Sequence, residues 1–230
     1  MKIIGLIGGM SWESTVEYYR LINESVKQRL GGLHSAKCVL YSVDFAEVEE
    51  LQRSGQWSEA AELLTGAALN VEQGGADLVV LCTNTMHKVA GAIQARIGIP
   101  LLHIADATAD AVKQAGLHRV GLLGTRFTME DDFYRKRLMD QFHLDVVIPE
   151  AEDRNAVHRV IYEELCVGKL RPESKAHLAA IIHRLVGMGA QGIILGCTEL
   201  GLLLSAEDSP VPLFDTTRVH ALAAVEEALK

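Results

Sequence analysis

Two short stretches of this sequence hold residue types that can move a proton. Near the end, Gly192 to Gly201 reads G-I-I-L-G-C-T-E-L-G, and much earlier Gly75 to His87 reads G-A-D-L-V-V-L-C-T-N-T-M-H. In each, an apolar run ends in sulfur and hydroxyl groups, the pattern of a buried strand delivering polar side chains at its carboxyl end. That edge is where open α/β sheets bind ligands. Cys197 follows a glycine at the expected junction of strand and helix. A helix N-terminus there would lower a thiol from about 8.5 toward neutrality, giving a thiolate that takes a proton. A lone buried cysteine is more often just a small hydrophobe. Thr198, Glu199 and the echoing tip around Cys82 and Thr83 favour chemistry here, whereas Cys38 and Cys166 keep the hydrophobe reading. The expectation is that the two tips face each other across one small-molecule site.

Other chemistries find less support. Gly8-Gly9-Met10 follows a strand-like run, but I-G-L-I-G-G-M-S does not supply G-x-G-x-x-G, and no G-K-[ST] occurs. A glycine turn feeding a helix can hold a carboxylate on its unpaired amides or be a plain tight turn; both readings stay open. His87, His103, His118, His143, His158, His177, His183 and His220 are scattered, with neither H-E-x-x-H nor a zinc spacing, so no metal is expected. Most of them are assigned to surface faces, with His87, four residues beyond Thr83, a candidate to orient the site. Nothing marks Lys88 or Lys169 as a Schiff-base lysine, and no cofactor is expected.

Composition narrows the class. The 230 residues are 49% hydrophobic and 23% charged, a globular balance. A formal charge of -8, a pI near 5.6 and no Lys/Arg cluster argue against a nucleic-acid partner. The apolar part of M-K-I-I-G-L-I-G-G-M is short, broken by glycine and followed by Glu13, which reads as a first strand rather than a signal peptide. No run is long enough to span a bilayer. Cys38, Cys82, Cys166 and Cys197 contain no C-x-x-C pair, and free thiols in a cytoplasmic enzyme are expected.

The elements that must position the tips alternate strand and helix. A strand over 2–7 precedes a helix to Gly31-Gly32, with Ser14 and Glu17 as a capping signature. A strand over 38–43, a short helix opened by Asp44 and Glu47, and a helix over 58–73 lead to a strand over 79–82, after which Thr83-Asn84-Thr85 caps a helix through about Arg96. The pattern restarts at Arg119 to Thr125, where Thr128-Met129-Glu130 opens a helix much as Ser11-Trp12-Glu13 does. A strand over 144–148, helices over 156–167 and 173–187, the Ile193 strand, a strand over 211–215 and a final helix capped by Thr216-Thr217 follow. The implied fold class is α/β, with two doubly wound parallel-sheet lobes related by pseudo-twofold symmetry. Residues 1–100 plus 211–230 are assigned to the first lobe and 101–210 to the second, with the active site between them.

Taken together, I-G-L-I-G-G-M-S-W-E-S-T, V-D-F-A-E-V-E-E-L-Q, C-T-N-T-M-H, I-L-G-C-T-E-L and L-F-D-T-T resemble the aspartate/glutamate racemase family across essentially the whole chain. That resemblance implies a cofactor-independent enzyme with two α/β lobes, in which two strand-tip cysteines work on opposite sides of the substrate α-carbon. The second site matches at Cys197, implied to take the proton from the L enantiomer. The first departs from the pattern C-N-T-x-H: Asn84-Thr85-Met86-His87 matches, but Thr83 stands where the cysteine is expected and Cys82 lies one residue early. One residue reverses side-chain direction on a strand, so Cys82 is expected to point into the lobe and Thr83 toward the substrate, although a local bulge would restore Cys82. The resemblance further implies that Met10, Ser11, Gln52, Asn84, Thr85 and Thr198 hold a small acidic amino acid, and that the protein is a homodimer. Lys169 or Arg53 is the candidate for a distal carboxylate. Hydantoin racemases, maleate isomerases and a non-catalytic amino-acid-binding protein are the rival readings.

Overall fold

A computed structural model describes all 230 residues. The chain divides into two compact units, residues 1–103 with 220–230, and residues 104–219. In the first, strands β1 (Ile4–Gly8), β2 (Cys38–Ser42), β3 (Leu78–Leu81) and β4 (Leu101–Leu102) form one parallel sheet in the order β2-β1-β3-β4. Helices α1 (Trp12–Leu30), α2 (Phe45–Arg53), α3 (Trp57–Gln73) and α4 (Ala90–Gln94) connect them.

The second unit repeats this plan. It runs α5 (Ile104–Gln114), β5 (Arg119–Gly124), α6 (Arg126–Glu130), α7 (Asp132–Phe142), β6 (Asp145–Val147), α8 (Ala151–Glu163), α9 (Pro172–Gly187), β7 (Ile193–Gly196), α10 (Leu200–Leu203) and β8 (Leu213–Asp215). Its parallel strands lie in the matching order β6-β5-β7-β8. The closing helix α11 (Thr216–Leu229) groups with the first unit from His220 onward. No helix is long and apolar enough to cross a membrane.

Both faces of the central strands are covered, which explains their continuous apolar runs. Along β3, Leu78 and Val80 join Ile4 and Leu6 of β1 against Tyr18, Ile22 and Val26 of α1 and Ala221, Ala224 and Val225 of α11. The alternate residues Val79 and Leu81 join Ile7 against Leu64, Ala68 and Val71 of α3 and Ile93 of α4. A side-chain period of two therefore sorts every residue of the strand to one of two cores.

The expected boundary between lobes is corrected at both ends. Leu101 and Leu102 pair with Val79 and Val80, so they belong to the first sheet rather than the second. Leu213 to Asp215 pair with Ile193 to Leu195, so the last strand belongs to the second sheet rather than the first. An apolar run reveals that a strand exists, while its hydrogen-bond partner is settled only by the fold.

Several capping assignments also shift. The cap of α1 is Ser11, whose Oγ accepts the Ser14 backbone N–H at 3.3 Å, and not Ser14 with Glu17. Ser14 is buried inside the helix and donates its hydroxyl to the Ser11 carbonyl, while Glu17 pairs with Arg20. Thr125 plays the Ser11 part for α6, accepting the Thr128 N–H at 3.3 Å. Asp44 caps α2 through the Ala46 N–H, as expected. Instead of a helix capped by Thr83-Asn84-Thr85, a 3-10 turn at Thr85–Val89 precedes the short α4, because Asn84 already has helical backbone angles and makes no side-chain cap. The helix expected over 156–167 starts at Ala151 and ends at Glu163, followed by a 3-10 turn. At α11 the Thr217 N–H bonds to Asp215 Oδ1 at 2.9 Å, and Thr216 donates to the Leu195 carbonyl.

Gly9 makes the turn from β1 into α1 possible. Its φ is +94°, and a Cβ there would lie 2.2 Å from the Val43 carbonyl oxygen. Gly9→Ala is expected to cost roughly 2 kcal/mol and to lower the thermal midpoint by about 4–8 °C. Calorimetry of the two proteins checks this, and an unchanged midpoint would contradict the packing just described.

Candidate functional site

At the second tip, β7 ends at Gly196, in register with Gly124 of β5. The two strands approach so closely that a Cβ on Gly196 would lie 2.9 Å from the Leu123 carbonyl oxygen. Cys197 and Thr125 follow these glycines at the same carboxyl edge. Cys197, Thr198 and Glu199 are all buried, with 6, 5 and 2% exposure. The Cys197 thiol donates to Glu199 Oε2 at 3.0 Å, and Thr198 Oγ1 donates to the same oxygen at 2.8 Å. Glu199 is thus aimed back at the sulfur, and is more than a first-turn acid.

This arrangement overturns the expected activation of the thiol by a helix. Burial pushes Cys197 well above the ordinary thiol range, and the Glu199 carboxylate and nearby Cys166 push it further. The helix that follows spans only Leu200–Leu203, too short to oppose desolvation and an adjacent negative charge. The resting group is a thiol hydrogen-bonded to a carboxylate. Moving that proton onto Glu199 would shift one negative charge from oxygen to sulfur without adding another, so the pair can act as an acid/base unit.

At the first tip, Cys82 continues the Leu78 and Val80 side of β3 and is fully buried in that core, with Sγ 3.7 Å from the Val80 carbonyl. Burial raises its thiol. Thr83 leaves the strand in a tight turn, its N–H bonded to the Leu81 carbonyl at 2.8 Å. Thr83, Asn84 and Thr85 are buried polar residues. Met10 packs in the same core as Met86, and Gln52 Nε2 lies 2.9 Å from Met86 Sδ, so the first turn, the second helix and this tip converge. Ser11 is buried with its Oγ engaged in capping. Arg53 is exposed and paired with Glu50, and Lys169 is exposed.

Beneath Thr83 lies a feature that the surface assignment of the histidines missed. His87 Nδ1 is 2.7 Å from the Thr83 carbonyl and therefore carries the donated proton. Its ring centroid is 4.6 Å from that of His103 and 5.7 Å from that of His220. His220 Nε2 donates to the Leu102 carbonyl at 2.9 Å, which leaves Nδ1 to accept from Tyr18 Oη at 2.9 Å. His220 is fully buried. Its spacing to Ala221, Ala224, Val225 and Ala228 marks the apolar face of α11 and was legible, had the final helix been given a buried face. Burial, followed by the charges of His103 and His220, holds His87 well below the usual histidine range. The ring that supports Thr83 is neutral.

Two outcomes follow. Glu199→Gln removes the negative charge beside Cys197, so the pH profile of thiol alkylation should move to lower pH; a profile unchanged or moved upward would refute the electrostatic account. Because His87 is depressed in the fold, its contribution to stability is present above about pH 6.5, the unfolded value, and is lost as pH falls below it. The urea midpoint should therefore drop between pH 7.5 and 5, and less steeply in His87→Gln.

A family profile described as Asp/Glu/Hydantoin racemase matches residues 7–224. The chain is 24% identical over 233 residues to the broad specificity amino-acid racemase RacX of Bacillus subtilis strain 168, covering 99% of this chain and 98% of that protein. Among solved structures, a candidate Asp/Glu racemase from Yersinia pestis shares 57% identity with a TM-score of 0.93, covering 100% of both chains. An aspartate racemase homologue from Pyrococcus horikoshii OT3 shares 35% identity with a TM-score of 0.86, again over 100% of both. With two parallel sheets of matching order and a buried thiol at a strand tip, the chain belongs to the Asp/Glu/Hydantoin racemase family and is an amino-acid racemase.

Proposed function

We propose that this racemase inverts the α-carbon of L-aspartate and L-glutamate without a cofactor, with Cys197 as the base for the L enantiomer and Thr83 as the group serving the opposite face. The observation that carries the reading is the Cys197 Sγ–Glu199 Oε2 hydrogen bond. Transfer of the thiol proton to Glu199 yields a thiolate, which takes the α-proton; the C–H electron pair remains on the α-carbon, delocalised into the adjacent carboxylate. Reprotonation on the same face restores the L form, and reprotonation on the other face gives the D form. Threonine is a weak acid, and its hydroxyl must be resupplied from water, so return of a proton from Thr83 is the slow event. Exchange should then outrun inversion. Enantiomers have equal free energy, so kcat/KM must match in the two directions whatever Thr83 does.

By family likeness, the turn at Met10 and Ser11, together with Gln52, Asn84, Thr85 and Thr198, binds the carboxylates. These groups are buried and polar apart from Met10, whose backbone would do the binding. A homodimer is the proposed assembly. Trp12, Val16 and Tyr19 lie at i, i+4 and i+7 on α1, and with Leu40 and Tyr41 of edge strand β2 they are large exposed apolar side chains that a second copy would cover.

The test is α-proton exchange in D₂O with each acid and no added cofactor, followed by NMR, with chiral analysis of the same samples. Cys197→Ser should reduce exchange by about 10²–10⁴, and Thr83→Cys should raise inversion relative to exchange by roughly tenfold or more. Exchange that survives Cys197→Ser sinks the assignment. Inversion that already keeps pace with exchange in the unmodified protein would remove the special role of Thr83. Turnover of hydantoins or maleate instead of amino acids would reassign the substrate, and binding without exchange would leave an amino-acid-binding protein.

A further inference from the structure

The second unit has a recess that the proposed chemistry does not use. Arg126, the first residue of α6, and Glu152, Asn155, His158 and Arg159 of α8 line a cavity of about 430 Å³. The residues Glu152, Asn155 and Arg159 stand at i, i+3 and i+7, on one face of the helix. At the recess the Arg126 backbone N–H donates to His158 Nδ1 at 3.3 Å. That bond makes Nδ1 an acceptor, so the neutral ring carries its proton on Nε2 as a donor. The ring is held by Tyr162 and Phe127, at centroid distances of 4.8 and 6.4 Å. Burial, then the charge of Arg126, lowers the pKa of His158, which keeps this tautomer at neutral pH.

The charges in the recess are unbalanced. Nearby guanidinium groups have carboxylate partners: Arg154 bonds Glu130 and Arg184 bonds Asp153, each at 2.7 Å, and Arg137 bonds Asp106. Neither Arg126 nor Arg159 makes an ion pair, and Glu152, the one carboxylate on the lining, bridges to neither. Two unpaired guanidinium forks with an imidazole N–H and an amide in one concavity favour an anion bearing paired oxygens. Glu152 opposes excess negative charge and suits a ligand that also presents a hydrogen-bond donor. The cavity lies in the size range of small-molecule sites.

We propose that Arg126, His158 and Arg159, with Asn155, form a binding site for a small oxyanion, a dicarboxylate or a phosphate monoester, in a recess whose lining does not include Cys197, Thr198 or Glu199. The test is isothermal titration calorimetry of the full chain with succinate and, separately, with inorganic phosphate, at ionic strength matched with sodium chloride. Saturable binding of at least one probe is expected, weakened roughly tenfold or more in Arg126→Met and in Arg159→Met, with both variants keeping the parent's circular dichroism and thermal midpoint. Binding should persist in Cys197→Ser. A response to succinate alone assigns a dicarboxylate, and one to phosphate alone a phosphate ligand. Heats no larger than those of the chloride control, binding that survives both arginine substitutions, or binding lost in Cys197→Ser would overturn the proposal.

Discussion

The structure depends on strands whose two faces are both buried. A strand covered on one side tolerates some slippage, but β1 and β3 are packed above and below, and a shift of one residue would exchange the contents of two cores. That constraint decides which side chains reach the carboxyl edge of the sheet. Cys82 is held in the α1 and α11 core by the same alternation that places Leu78 and Val80 there. Only when the chain leaves the strand, at Thr83, does the backbone escape this rule. The Cys82 thiol therefore stays in the core, and Thr83 is the first residue of that tip beyond Cys82.

Both tips avoid net charge changes inside buried surroundings. Glu199 carries the negative charge at the second tip, and the thiol stays protonated beside it. Under the first tip, His87 and His220 each donate to a backbone carbonyl, Tyr18 Oη bonds His220 Nδ1, and His87 is neutral. Low dielectric penalises any isolated charge, so a proton handed between neighbours is cheaper than one released to solvent. A buried thiol with a raised pKa can thus still act as a base, provided its proton has somewhere adjacent to go.

The linear sequence, by itself, determined a good deal. Apolar runs at Ile4, Val79, Leu122 and Ile193 marked the central strands, repetition of the pattern marked two units, and sulfur and hydroxyl groups directly after Leu81 and Gly196 marked the strand tips. Those signals are local, because burial on both faces writes itself into consecutive residues. The resemblance to the family's motifs added the expectation that Thr83 and Cys197 serve one reaction. What only the tertiary structure decided is everything that needs a partner distant in the chain. Leu101 and Leu213 had no local mark of the sheet they join, because strand pairing is a contact between residues far apart. The cap at Ser11 rather than Ser14 depended on where the strand ended. Least visible was the state of Cys197: its position at a helix start suggested an activated thiolate, and the fold instead buried it and turned the Glu199 carboxylate onto its sulfur. Burial and charge are sums over all surrounding atoms, so the sequence can name an ionisable group but only the folded surroundings fix where its proton rests.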